Sequence, residues 1–185
     1  KYHGNFLKDL FWGTFYLQHL AEEYGGLSTC VDDKIRLRTH RGLFRPNFED
    51  DLTGLDGTAG IGYCGSVREP YIIDSKLGQF YICFSGNIIN SPELIERFKD
   101  FGHSFDRNDD VEIIAKLICQ GNDILDGIKK IDKEIKGAYS ILILTKDGIY
   151  ATCGSSGHWP LVIGEKEGTI IISSESGGFN NLEYE

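Results

Sequence analysis

Gln79-Phe80-Tyr81-Ile82-Cys83-Phe84-Ser85-Gly86-Asn87-Ile88-Ile89-Asn90-Ser91-Pro92 is the stretch whose reading decides the fold. Residues 79–84 are aromatic, β-branched and apolar, and they read as a strand. Ser85-Gly86-Asn87 predicts a tight turn at the strand end, with backbone N–H groups released from pairing. Ser91-Pro92 opens a helix, with serine placed to cap and proline at the first helical position. About two dozen residues further on, Asn108-Asp109-Asp110-Val111-Glu112 starts a second helix, where carboxylates are favoured by the helix dipole. Freed N–H groups with a carboxylate brought beside them are the local architecture of an oxyanion site.

Outward from this stretch, the apolar spacing predicts a first helix over residues 5–24, with Phe6, Leu10, Leu17 and Ala21 on one face. Gly25-Gly26 is expected to end it. Residues 27–31 and 35–39 read as a hairpin around Asp32-Asp33, and 58–64 and 71–74 as further strands. Helices are predicted over 92–101, 110–119 and 124–135. Short strands follow over 138–145, 148–152, 161–164 and 169–174, separated by glycine or charged turns such as Lys146-Asp147-Gly148. Strand groups flanking a helical block do not alternate as βαβ units, so the fold class is α+β. Two packed sheets covered by helices satisfy this pattern.

Composition sets the outer bounds. A chain of 185 residues with 41% hydrophobic and 25% charged side chains is expected to form one compact soluble domain. The net charge of −9 argues against a nucleic-acid or anionic-membrane surface, which would need clustered Lys and Arg. No apolar run approaches the length of a membrane span. The five cysteines (Cys30, Cys64, Cys83, Cys119, Cys153) are odd in number and scattered, as reduced thiols of a cytoplasmic protein would be. His19, His40, His103 and His158 lack metal-ligand spacing, and no motif for a metal or an organic cofactor is present, so no cofactor is expected. The chain contains no methionine, and both ends read as cut. Residues 1–185 are therefore expected to be a single domain within a longer polypeptide.

Several segments together resemble the glutaminase domain of class II glutamine amidotransferases, which are N-terminal-nucleophile hydrolases. Leu17-Gln18-His19 with Gly26 is similar to the family's LQHRGQESAG segment, and Gly60-Ile61-Gly62 to the strand before its RYST loop. Ser85-Gly86-Asn87-Ile88-Ile89-Asn90 resembles HNGNLVN, and Asp110-Val111-Glu112 resembles SDTE. Lys136-Gly137-Ala138-Tyr139-Ser140 matches KGAYS, Gly157-His158-Trp159-Pro160-Leu161 resembles GIRPL, and Ser174-Glu175-Ser176 matches SES. Each match is weak alone, but they share one order and spacing. Within the family the resemblance is greatest to the phosphoribosylpyrophosphate amidotransferases.

The resemblance implies a four-layer αββα sandwich. It implies an N-terminal cysteine that attacks the glutamine amide with its own α-amine as base, and ammonia passed to a synthase domain. It places the oxyanion hole at Ser85 and Gly86 and a substrate α-amine contact at Asp110, with Asn87 as a further substrate-binding candidate; Arg68, close to the RYST position, is the candidate substitute for the α-carboxylate contact. The departures are as informative. Ser85 stands where the family has an asparagine, Phe84 replaces a histidine, and Leu20-Ala21 replace Arg-Gly. The RYST region is shortened to Tyr63-Cys64-Gly65-Ser66-Val67-Arg68-Glu69-Pro70, with no arginine at the matched position. No internal cysteine carries a free α-amine.

Three functions stay open from sequence. The first is a degenerate glutaminase-like domain that does not hydrolyse glutamine. The second is a working amidotransferase whose N-terminal cysteine lies outside the given chain. The third is a non-catalytic sensor binding glutamine or a related amino acid. Expected partners are such an amino acid and a synthase or phosphoribosyltransferase domain in the same polypeptide. A homo-oligomer is compatible with all three, whereas nucleic acid and membrane are not expected partners. Ser85-Gly86-Asn87 also has a plain reading as a turn, and Asp110 as a residue favoured by the helix dipole.

Overall fold

The computed structural model describes residues 6–185. The expected helix start at Asn5 lies outside them. The chain runs α1 (Phe6–Phe15), a 3-10 turn (Gln18–Leu20), β1 (Tyr24–Val31), β2 (Lys34–Arg41), α2 (Phe44–Phe48) and β3 (Ala59–Gly65). It continues with β4 (Tyr71–Ser75), β5 (Gly78–Ile88), α3 (Ser91–Asp100), α4 (Asp110–Cys119) and α5 (Ile124–Glu134). The final elements are β6 (Gly137–Thr145), β7 (Gly148–Cys153), β8 (Val162–Lys166), β9 (Thr169–Ser173) and α6 (Phe179–Leu182). All strand pairing is antiparallel, in sheets of order β2-β1-β3, β4-β5-β6-β7 and β8-β9.

Strand alternation assigns the layers. Phe80, Ile82 and Phe84 point from β5 to the helix side, where they pack with Ile113, Ile114 and Leu117 of α4. Tyr81 and Cys83, on the opposite face, meet Ile61 and Tyr63 of β3. The outer face of the β2-β1-β3 sheet is covered by Phe11 of α1 and by Phe44 and Phe48 of α2. This is the αββα sandwich: helices, sheet, sheet, helices. The hairpin at Asp32-Asp33 forms as expected, with both aspartates at positive φ (47° and 61°).

Four local readings change. The first helix stops at Phe15, and Gly25-Gly26 lie inside β1, paired on both sides, instead of capping a helix. Close packing explains the glycines. A Cβ on Gly25 would sit 2.8 Å from Phe44 Cδ2, and one on Gly26 only 1.9 Å from the Glu69 carbonyl oxygen. Ser85-Gly86-Asn87 is not a turn, because β5 runs on to Ile88 with Ser85 opposite Ser140, Gly86 opposite Tyr139 and Asn87 opposite Ala138. Ser91 is the first helical residue and does not cap; Asp109 and Asp123 cap α4 and α5 instead. The short helices α2 and α6 carry too few residues to show a period in sequence.

Candidate active site

The open edge of β5 organises the site. β4 pairs with β5 only from Gly78 to Ile82, so beyond Ile82 the edge facing away from β6 is unpaired by strand. Two carboxylates occupy it instead. The Phe84 N–H donates to Glu69 Oε2 (2.7 Å), and the Ile88 N–H donates to Asp110 Oδ2 (3.0 Å). Gly86 lies between them. Its cross-strand partner Tyr139 accepts from Gly154 N–H (2.8 Å) and so turns its polar groups toward β7. By antiparallel alternation the Gly86 N–H projects from the same edge as those of Phe84 and Ile88. The backbone donor expected from a turn is thus delivered by a strand edge.

That edge borders a cavity of about 450 Å³ lined by Tyr63, Glu69, Ser85, Gly86, Asp110 and Trp159, among others. Leu20 and Ala21 also face it. Gly86 has φ +145°, and a Cβ there would lie 2.3 Å from Ala138 O, so the position requires glycine. Ser85 is half-buried on the face of β5 opposite Phe84. An N–H and a hydroxyl directed at one cavity can bind a negatively charged oxygen.

Of the residues expected at the site, Ser85, Gly86 and Asp110 come together. Asp110 is engaged on both oxygens: Oδ2 by the Ile88 N–H, and Oδ1 by Ser91 Oγ, which also reaches Ile88 O (3.0 Å). Asn87 is exposed and does not line the cavity. Arg68 is exposed, its Nε donates to Thr39 Oγ1 (2.9 Å), and it does not line the cavity either.

The residue that sequence reasoning passed over is Glu69, beside Arg68. It is completely buried, and Oε1 has no hydrogen-bond partner. Burial pushes its carboxyl up to about 8, partly countered by the Phe84 N–H and by Arg107, while Asp109 adds to the rise. Its sequence neighbourhood, an acidic residue between Arg68 and Pro70, gives no sign of burial. Trp159 was also missed as a lining residue. Burial raises the nearby thiols, Cys64 to about 12 and Cys83 well above its ordinary value, so neither is a ready thiolate nucleophile. Glu112 of α4 serves the loop before its own helix: its carboxylate accepts the N–H groups of Asp106, Arg107 and Asn108.

A model of the glutamine amidotransferase domain matches residues 65–181, more than half of the chain. The chain belongs to the glutamine amidotransferase family. It is 33% identical to the amidophosphoribosyltransferase of Methanocaldococcus jannaschii, over 98% of this chain and 41% of that protein. Identity to the Methanothermobacter thermautotrophicus amidophosphoribosyltransferase is 29%, over 95% of this chain and 40% of the relative. Among solved structures, it superposes on glutamine phosphoribosylpyrophosphate amidotransferase from B. subtilis, complexed with ADP and GMP. The TM-score is 0.88 at 25% identity, covering 94% of this chain and 40% of that one. It is a glutamine amidotransferase domain of the amidophosphoribosyltransferase type, with that enzyme's N-terminal-nucleophile hydrolase fold. It spans about two fifths of the length of these relatives.

Proposed function

We propose that residues 1–185 form a single glutaminase-type domain that does not hydrolyse glutamine, within a polypeptide that also carries a phosphoribosyltransferase-type domain. The observation carrying this reading is the chemistry of the cavity around Gly86. Among the described residues its lining contains no cationic side chain to pair a substrate α-carboxylate, and its one thiol, on Cys64, is held protonated. Ser85 offers a single rotatable hydroxyl where the family has a fixed amide. The backbone donor at Gly86 remains, and so does the carboxylate of Asp110, which fits an amino group.

The test is ammonia release from glutamine by the full-length polypeptide. The expected result is no release above the buffer rate. Release that disappears when an N-terminal cysteine is replaced would overturn the proposal.

One observation favours the second reading, an active amidotransferase. β3 pairs only with β1 and β9 only with β8 among the described residues. Between these two strands, under α1, lies an apolar cavity of about 380 Å³ reaching Ser85 and Ser140. Its walls are two strand edges, a helix and a sheet face, the surroundings of a central β-strand. A strand entering there would bring its end toward Ser85. Intact-mass measurement of the mature polypeptide discriminates: a chain beginning with cysteine upstream of Lys1 supports activity, and any other start supports the non-hydrolysing reading.

A further inference from the structure

The backbone at Glu185 is hydrogen-bonded to the outer edge of β8. After α6, Glu183 takes a left-handed conformation (φ 63°) and turns the chain toward the β8-β9 hairpin. Tyr184 is buried in the cluster with Phe179 and Leu182, and Lys166 Nζ donates to Leu182 O (2.8 Å). Glu165 and Glu185 then exchange both backbone bonds. The Glu165 N–H donates to Glu185 O (2.8 Å), and the Glu185 N–H donates to Glu165 O (3.1 Å). A reciprocal pair of this kind is the hydrogen-bonded position of an antiparallel ladder. Direction and register of a third strand are therefore already set at Glu185.

Alternation determines the next rung. Glu165 directs its N–H and C=O away from β9, so Ile163, two residues back, directs its own the same way, while Val162, Gly164 and Lys166 serve β9. Among the described residues no backbone group pairs with Ile163 on that outer edge. Its side chain is 67% exposed, and Ile170, on the same face of the hairpin, is 65% exposed. The opposite face is covered by the cluster of Phe179, Leu182 and Tyr184, with Val162 and Ile171 packed on it. Two five-residue strands with an open polar edge and bare isoleucines are a sheet short of a strand.

We propose that, in the longer polypeptide inferred above, the segment directly after Glu185 runs on as this strand, antiparallel to β8, with its second residue opposite Ile163; this rests on that reading and deepens it. That segment is favoured over any other occupant because it is delivered covalently to the edge, in register and with no linker to order. The chain spans 41% of the Methanocaldococcus jannaschii protein, so a continuing polypeptide has ample length to supply it. The hairpin it joins also matters to the interior. Ile170, Ile171 and Ile172 of β9 wall the apolar cavity that reaches Ser85. A following domain is thus joined to that wall through hydrogen-bonded strands, not through a flexible tether.

The experiment is hydrogen exchange, resolved to single amides, on the full-length polypeptide. The expected result is an Ile163 amide protected to within about tenfold of Gly164, which pairs with β9. Proline placed at the second residue after Glu185 removes the N–H that bonds Ile163 O. It should speed exchange at Ile163 at least about tenfold and leave Gly164 unchanged. Fast exchange at Ile163 beside a protected Gly164 would overturn the proposal, as would protection unmoved by the proline. Protection that disappears on dilution would assign the edge to a second copy and overturn it too. If the proline variant fails to fold, the unmodified protein decides: a nuclear Overhauser contact between Hα of Gly164 and Hα of the residue directly after Glu185 supports the strand, and its absence sinks it. Intact mass separates the two readings. A mature chain ending at Glu185 removes the longer polypeptide as well, whereas a longer chain with Ile163 unprotected removes the added strand alone.

Discussion

Glu69, in the segment between β3 and β4, and Glu112, in the first turn of α4, are both carboxyl side chains inside the protein, 0% and 3% exposed. Their surroundings solvate them in opposite ways. Burial pushes both carboxyls up, but Glu112 accepts three backbone N–H groups and lies 3.3 Å from Lys116 Nζ, and these donors hold it below its ordinary range. Glu69 accepts one N–H, and burial wins. Burial alone thus does not decide the charge of an interior carboxyl; the number of donors aimed at it does. One residue is saturated and builds a loop, whereas the other is left short of donors.

The comparison can be broken most forcefully at Glu112. Glu112→Ala leaves three buried N–H groups without their acceptor and is expected to cost about 3 kcal/mol or more. Glu112→Gln keeps an acceptor and should cost clearly less. Urea denaturation measures both, and an alanine effect below about 1 kcal/mol would mean that water replaces the carboxylate.

Glu69→Gln should act with the opposite sign. The Glu69 carboxyl titrates near 8 in the folded state, against an ordinary value of 4.5, so the folded protein holds the extra proton between those limits. The stability it confers is complete below pH 4.5 and is lost as pH rises through 8. The variant should match the unmodified protein near pH 4.5, gain on it as pH rises, and hold its full advantage above about pH 8. Glu112 works the other way: its contribution is present above the ordinary carboxylate range and lost as pH falls through its lowered value. A flat pH difference for Glu69→Gln would show that its charge is not the source.

The smallest effect is expected at Arg107, which joins the two regions. Its backbone N–H goes to Glu112, and its guanidinium goes to Asp109 and to the carbonyl of Arg68 beside Glu69. Arg107→Ala should cost only about 0.5–1 kcal/mol. It should also move the Glu69 titration upward, since Arg107 lowers it. A carboxyl carbon NMR titration reads that shift directly.

The contrast also explains what was legible in sequence. The hairpin at Asp32-Asp33 and the helices α3 to α5 rest on local periodicity, and they form close to where the residues predict them, whereas the first helix stops short at Phe15. Ser85-Gly86-Asn87 was misread because a glycine at positive φ inside a strand leaves the same trace as one in a turn. Gly25-Gly26 misled for a related reason: their role is to admit Phe44 and the Glu69 backbone, both distant in sequence. Glu69 itself was unreadable as a buried group, because its cover comes from β1, β5 and the approach to α4. Phe44 and Phe48 belong to a five-residue helix held by packing on β1 and α1, which no window of periodicity detects.

Gly86 also bears on how such a domain can diverge. Its need for glycine comes from Ala138 and Tyr139 pressed against it, not from anything in the cavity. Selection for folding alone is then enough to preserve the glycine and, with it, the direction of its N–H. Side chains such as Ser85 are under no such guard and are free to drift. On the non-hydrolysing reading proposed above, a lineage can in this way lose a chemistry and still keep a main-chain N–H directed into the cavity, available for a later use.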